Sequence, residues 1–205
     1  MRLIYYYILS TFVFGYSEKP FFPIFKITNA TIQDLESGNI VVIETEKDYG
    51  DAKHYQVYGI IDANLNEVFD AIENFDDYPH FMPRFDFVEP LETSDTLRSY
   101  IFNIKLPMSI KYKYKIKIKK SVTDTISWLA WETIDWEENS IEETWGQWYI
   151  TPYGELKKQT LVQYQVYTDP GYIPFGFEWI INVLTKGALP ETVENLKLWV
   201  EKNEK

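Results

Sequence analysis

Apolar and polar positions alternate with a period of two through much of the second half of the chain. Ile110, Tyr112, Tyr114, Ile116 and Ile118 alternate with Lys111, Lys113, Lys115, Lys117 and Lys119. Just before them, Arg98, Tyr100, Phe102, Ile104, Leu106 and Met108 alternate with Ser99, Ile101, Asn103 and Lys105. A strand sends successive side chains to opposite faces, so this pattern predicts strands with one face buried. Segments 126–136, 142–151 and 159–168 continue the pattern and complete a run of five strands. The turns between them are short and mostly polar, which predicts an antiparallel meander.

The flanks read differently. Segments 39–46 and 53–62 predict two more strands, and 28–37 a short helix. Asn64-Leu65-Asn66-Glu67 has the spacing of a capping box: Asn64 accepts from the first turn and Glu67 reaches back. Leu65, Val68, Phe69 and Ile72 then form one helical face. A second short helical piece over 76–82 is limited by Pro79 and Pro83. In the last stretch, 168–202, a turn at Asp169-Pro170-Gly171 is followed by a stripe of Phe177, Ile180, Ile181, Leu184, Ala188, Val193, Leu196 and Val200. Steps of three and four make this one helix face. Pro190 predicts a kink near residues 187–189. A long amphipathic helix needs a large apolar surface to lie on. The meander supplies it, so the expected class is α+β: a curved antiparallel sheet wrapped around a long C-terminal helix.

Composition narrows the picture. The 205 residues are 45% hydrophobic, enough for one sizeable core. The formal charge of −11 repels phosphates and argues against nucleic-acid partners. There is no cysteine, so thiolate catalysis, disulfides and thiolate metal sites are excluded. Met1-Arg2, the apolar run 3–14 and small Gly15 and Ser17 read as a signal peptide over 1–17. That predicts export, to a periplasm in a cell with two membranes and otherwise to the outside.

Three stretches carry a resemblance. IIDANLNEVFDAIENFDDYPHFMP, TWGQWYITPY and TDPGYIPFGFEW, in this order and spacing, resemble the START-like helix-grip superfamily. That superfamily includes lipid-transfer START domains, coenzyme-Q-binding proteins and polyketide cyclases. The resemblance implies a START-like domain over 51–205 and an N-terminal extension over 18–50 with a short helix and an added strand. It places two short helices between the first two strands of the core. It also implies a hydrophobic tunnel between sheet and terminal helix that binds or transports a lipid, sterol, quinone or similar molecule. The alternative it carries is a cyclase or dehydrase acting on an aromatic or polyketide substrate. In that case Arg84, Arg98, Tyr112 and Tyr164 are the groups to test.

Parity names the expected lining. If even positions of the lysine-rich strand face inward, Tyr112, Tyr114 and Ile116 do. Phe102, Ile104 and Leu106 join them, then Trp128, Gly146, Trp148 and Ile150, then Val162, Tyr164 and Val166. Phe177, Ile181 and Leu184 face them from the helix. Such a set makes either a ligand pocket with a few orienting polar groups or a solid core. Arg98 and Glu132 share the inward parity. They are either a buried pair at the polar end of a ligand or strand-end charges that reach solvent. The five lysines either guard an exposed sheet face or dock transiently on anionic lipid. His54 and His80 have no companion nucleophile or metal-ligand spacing. No cofactor, metal or catalytic group is expected, and the apolar ligand is the expected partner of a monomer.

Overall fold

The structure, a computed structural model, describes residues 27–44, 55–93, 98–173, 175, 179 and 188–203. The expected signal peptide, the first half of the terminal helix stripe and His54 lie outside these residues. Eight strands form one antiparallel sheet: β1 (Val41–Glu44), β2 (Tyr55–Ile61), β3 (Phe85–Thr93), β4 (Arg98–Lys105), β5 (Lys111–Val122), β6 (Ser127–Thr133), β7 (Glu143–Tyr153) and β8 (Gln159–Asp169). Their spatial order is β1-β2-β8-β7-β6-β5-β4-β3. The meander β3 to β8 thus comes back to β2, and the chain crosses from β2 to the far edge through helices.

Those helices form for local reasons. Helix α1 (Asn29–Glu36) is capped by Thr28, whose hydroxyl accepts from Thr31 N–H. Helix α2 (Leu65–Glu73) carries the full capping box: Asn64 Oδ1 accepts from Asn66 and Glu67 N–H, and Glu67 accepts from Asn64 N–H at 3.0 Å. A 3₁₀ turn (Phe75–Asp77) and the one-turn helix α3 (Tyr78–Phe81) follow. Helix α4 (Leu189–Asn203) ends the fold. Pro190 lies in its first turn, where a missing N–H breaks no helical bond.

One strand departs from the sequence reading. The edge strand β3 was not expected as a separate element. Its register against β4 shifts twice, between Phe85 and Phe87 and between Pro90 and Glu92. Such bulges break the period of two that would have revealed it. Pro90, which has no N–H to give, is tolerated because the strand is at an edge.

The main core lies between the inner face of the sheet and α2, α3 and α4. Leu189, Val193, Leu196 and Val200 of α4 are buried there. The helix can approach closely because β2 has Gly59 beneath it. A Cβ at Gly59 would stand 2.8 Å from Val193 Cγ1 and 2.9 Å from Ile40 Cδ1. Polar contacts pin the helix along its length: Asn195 Nδ2 donates to Phe81 O at 2.9 Å, and Asp62 N–H donates to Glu201 Oε1 at 3.0 Å. A second, smaller cluster (Leu35, Tyr58 and Ile60) lets α1 cover one corner of the outer face.

Gly59→Leu is therefore expected to push α4 off β2 and cost about 1–3 kcal/mol, the usual range for overpacking. A urea unfolding midpoint equal to that of the wild type would refute this seating.

Candidate functional site

The concave face of the sheet and α4 enclose a cavity. Its sheet walls are Phe102 and Ile104 of β4, Tyr112, Tyr114 and Ile116 of β5, Trp148 of β7, and Tyr164 and Val166 of β8. All eight were expected at the lining from strand parity. From β6, Leu129 and Trp131 face the cavity. The expected Trp128 does not, and Glu132 does not either. The reason is register. Even positions of β5 oppose odd positions of β6, as in Ile118 opposite Trp131. Inward parity therefore changes at this hairpin and changes back at the next, where Trp131 opposes Gly146.

The two charged candidates are apart. Glu132 is on the outer face, where its Oε1 lies 2.8 Å from Lys117 Nζ. Arg98 is exposed at the far end of β4 and donates from Nη1 to Glu73 Oε1 at 2.9 Å. Lys120 Nζ also reaches Glu73. No buried Arg98–Glu132 pair forms, so the strand-end reading holds for both. Of the lysine stripe, Lys113 pairs with Glu138 at 3.2 Å and lies over the Trp136 ring.

Leu106, Ile150 and Val162 are buried but belong to solid core outside the cavity walls. Phe177, Ile181 and Leu184 lie outside the described residues. Sequence parity also missed a whole wall. Phe75, Tyr78, Met82, Pro83, Arg84 and Phe85 enter from the 3₁₀ turn, α3 and the start of β3. Non-periodic segments give no parity signal. Ala188, Leu189 and Thr192 close the cavity from α4.

The walls are an aromatic stack. Trp148 and Tyr164 rings are 4.2 Å apart, and Trp131 stacks on Tyr164 at 5.8 Å. Trp131 can lie there because Gly146 leaves it room; a Cβ at Gly146 would collide with the indole and with the Gln165 carbonyl. Tyr78 meets Phe75, Phe81 and Phe85 edge-on, and its hydroxyl donates to Ile72 O at 2.8 Å. The enclosed volume is about 80 Å³. That is the space of a few solvent molecules, and a larger guest requires the walls to part. Partly exposed Pro83, Arg84, Tyr112 and Ala188 mark where the hollow nears the surface.

Burial sets the acid–base character. It pushes the phenols of Tyr114 and Tyr164 far above their ordinary range. Tyr78 rises for the same reason and because Tyr164 is near, with the Trp148 indole acting in the opposite sense. Outside the cavity, burial pushes Tyr58 up to about 12. Among the described residues no group of three His, Asp or Glu side chains is placed to hold a metal. His80 stacks on Trp199 at 5.6 Å and takes no part in the cavity.

This geometry, a curved antiparallel sheet closed by a terminal helix over an aromatic hollow, matches known proteins. Residues 61–197 match the family model described as polyketide cyclase/dehydrase and lipid transport. The chain belongs to that family. Its fold is the START-like helix grip. The STAR-related lipid transfer protein of Xanthomonas axonopodis superposes with a TM-score of 0.63 at 16% identity, over 80% of this chain and 94% of that one. Human StAR-related lipid transfer protein 5 gives 0.68 at 13% identity, over 82% and 84%. The Zhui aromatase/cyclase of Streptomyces sp. R1128 gives 0.60 at 10% identity, over 75% and 96%. No curated protein matches the sequence.

The buried phenols stay protonated in the folded family member at a pH where those of the unfolded chain, near the ordinary value of about 10, ionise. Their raised values therefore add stability in full below about pH 10, and it is lost as pH rises above it. Urea midpoints are expected to hold up to about pH 9 and decline steadily beyond about pH 10. Complete, reversible ionisation of every tyrosine near pH 10 in the folded state, read at 295 nm, would contradict the burial.

Proposed function

We propose that the protein binds and carries an apolar small molecule in the cavity between the sheet and α4. The observation that carries this reading is the hollow itself: a core this rich in large rings leaves an enclosed space instead of filling it. Its walls are aromatic and aliphatic with a few hydroxyls, the make-up of small-molecule pockets. Each Å² of apolar surface removed from water by the guest contributes about 25 cal/mol. Since the cavity is small at rest, loading requires α4 to shift.

The family also includes cyclases and dehydrases, and a cyclase is among the structural relatives. Acid–base chemistry works best with groups that titrate near the working pH. Tyr78, Tyr114 and Tyr164, the buried phenols of the walls, are held far above it. That favours shielding of a guest over its conversion.

Trp148→Asp and Tyr164→Asp each place a carboxylate where the guest's apolar body rests. Both variants are expected to lose the ligand that co-purifies with the wild type, as read by native mass spectrometry and solvent extraction. A folded variant that retains the same ligand in the same amount would end this reading.

The loading end has its own character. Met108, Tyr172 and Phe175 are 76%, 88% and 97% exposed. The β4–β5 turn and the chain after β8 bring them to the same end of the sheet as Arg84 and Tyr112. Exposed Lys105 and Lys111 stand at that end too. Apolar rings beside lysines suit a brief contact with an anionic bilayer. Replacing Tyr172 and Phe175 together with serine is expected to slow ligand transfer from anionic vesicles several-fold while leaving bound ligand at equilibrium unchanged. An unaltered transfer rate would rule out this contact.

A further inference from the structure

Arg84 is the one charged side chain among the described walls of the cavity. Its backbone is left-handed, with φ at 67°, a conformation that L residues rarely adopt. The strain is held from outside. Arg84 O accepts from Lys105 N–H at 2.8 Å, and Phe85 N–H donates to Met82 O at 3.4 Å, fastening the start of β3 to the end of β4. Residues kept in such conformations gather at functional positions.

The guanidinium is under-used. Nη1 is buried and has no hydrogen-bond partner among the described residues. Among the described residues the carboxylate oxygen that reaches it, Glu191 Oε2, stands at 3.8 Å, close enough for attraction and too far for a hydrogen bond. Glu191 itself is half-exposed, so water already serves it. Several other polar groups of the walls are committed. Thr144 Oγ1 donates to Tyr167 O at 2.9 Å, Thr192 Oγ1 to Ala188 O at 2.8 Å, and the Tyr78 hydroxyl to Ile72 O. A buried cationic donor without a hydrogen bond is costly, and an oxygen anion is what satisfies it best.

We infer that the carried molecule is a monocarboxylate amphiphile whose head is held by Arg84 Nη1 while its apolar body lies toward Trp148 and Tyr164. This rests on the ligand-carrying reading above and names the ligand class. One guanidinium matches one carboxylate charge; a phosphate monoester would bring up to two charges into a space with a single cation. Glu191 is the resident counter-ion with which the incoming head competes.

Dodecanoate, 1-dodecanol and dodecyl phosphate separate the alternatives when titrated into the full chain with tryptophan fluorescence as the readout. The wild type is expected to bind dodecanoate at least about tenfold more tightly than dodecanol, the usual gain for a charge-assisted hydrogen bond. Arg84→Gln is expected to bring that ratio close to one. Glu191→Gln removes the competitor and is expected to raise it several-fold, and it serves even where Arg84→Gln fails to fold. Equal binding of acid and alcohol by the wild type, or a preference that survives Arg84→Gln, overturns the inference and leaves the pocket standing. Tighter binding of dodecyl phosphate overturns the carboxylate head. Binding of none of the three overturns the pocket reading as well.

Discussion

The terminal helix rests on β2 at a point where a side chain is missing. Gly59 lets Val193 descend until it nearly touches the strand, and Leu189, Leu196 and Val200 then reach the sheet on either side. Everything about the cavity follows from that height. A higher helix would open the hollow to solvent, and a lower one has no room. The sheet curves because it must meet both α4 and the shorter helices α2 and α3 on one face. A curved sheet of eight strands and a straight helix do not fit without a gap, and large rings close most of it. What remains is bounded by side chains too bulky to interdigitate further.

The ring packing inside depends on a second missing side chain. Trp131 crosses above Gly146 and stacks on Tyr164, which in turn leans on Trp148. Three strands therefore contribute to one aromatic wall, and each ring holds the next. Such a wall is flat and apolar over most of its area, yet its indole N–H and phenol groups give orientation at the edges. The burial that makes it apolar also removes Tyr114 and Tyr164 from neutral-pH proton transfer.

Much of this was readable from residue order. The capping box at Asn64 declared helix α2, and strict alternation declared β5 with its inner and outer faces. From β5, the inner faces of β4, β7 and β8 followed correctly, because their registers keep even positions opposite even ones. The reading failed at β6, where a hairpin register of the other parity turned Trp128 and Glu132 outward and Leu129 and Trp131 inward. Loop length decides that parity, and the turn after Val122 does not announce its geometry in composition. It failed again at β3, where two bulges erase the period. Of the wall made by residues 75–85, only Arg84 was singled out, and through the resemblance, not through alternation. The wall's side chains enter from a 3₁₀ turn, a one-turn helix and a left-handed arginine, none of which has a repeating face.

The contrast among three charged residues shows what alternation can and cannot decide. Arg98 and Glu132 both had the parity of a pocket residue, and both found carboxylate or lysine partners at the sheet's rim or outer face, where pairing costs little and contributes at most about 1 kcal/mol. Charges that can reach water do so. Arg84 had no parity at all, lying between a short helix and a bulged strand. Its side chain is partly exposed and stands 3.8 Å from Glu191, yet Nη1 stays buried at the cavity wall with no hydrogen-bond partner among the described residues. Alternation reads the charges that sit on strands; a charge set between elements, as Arg84 is, has to be read from the partners the fold brings to it.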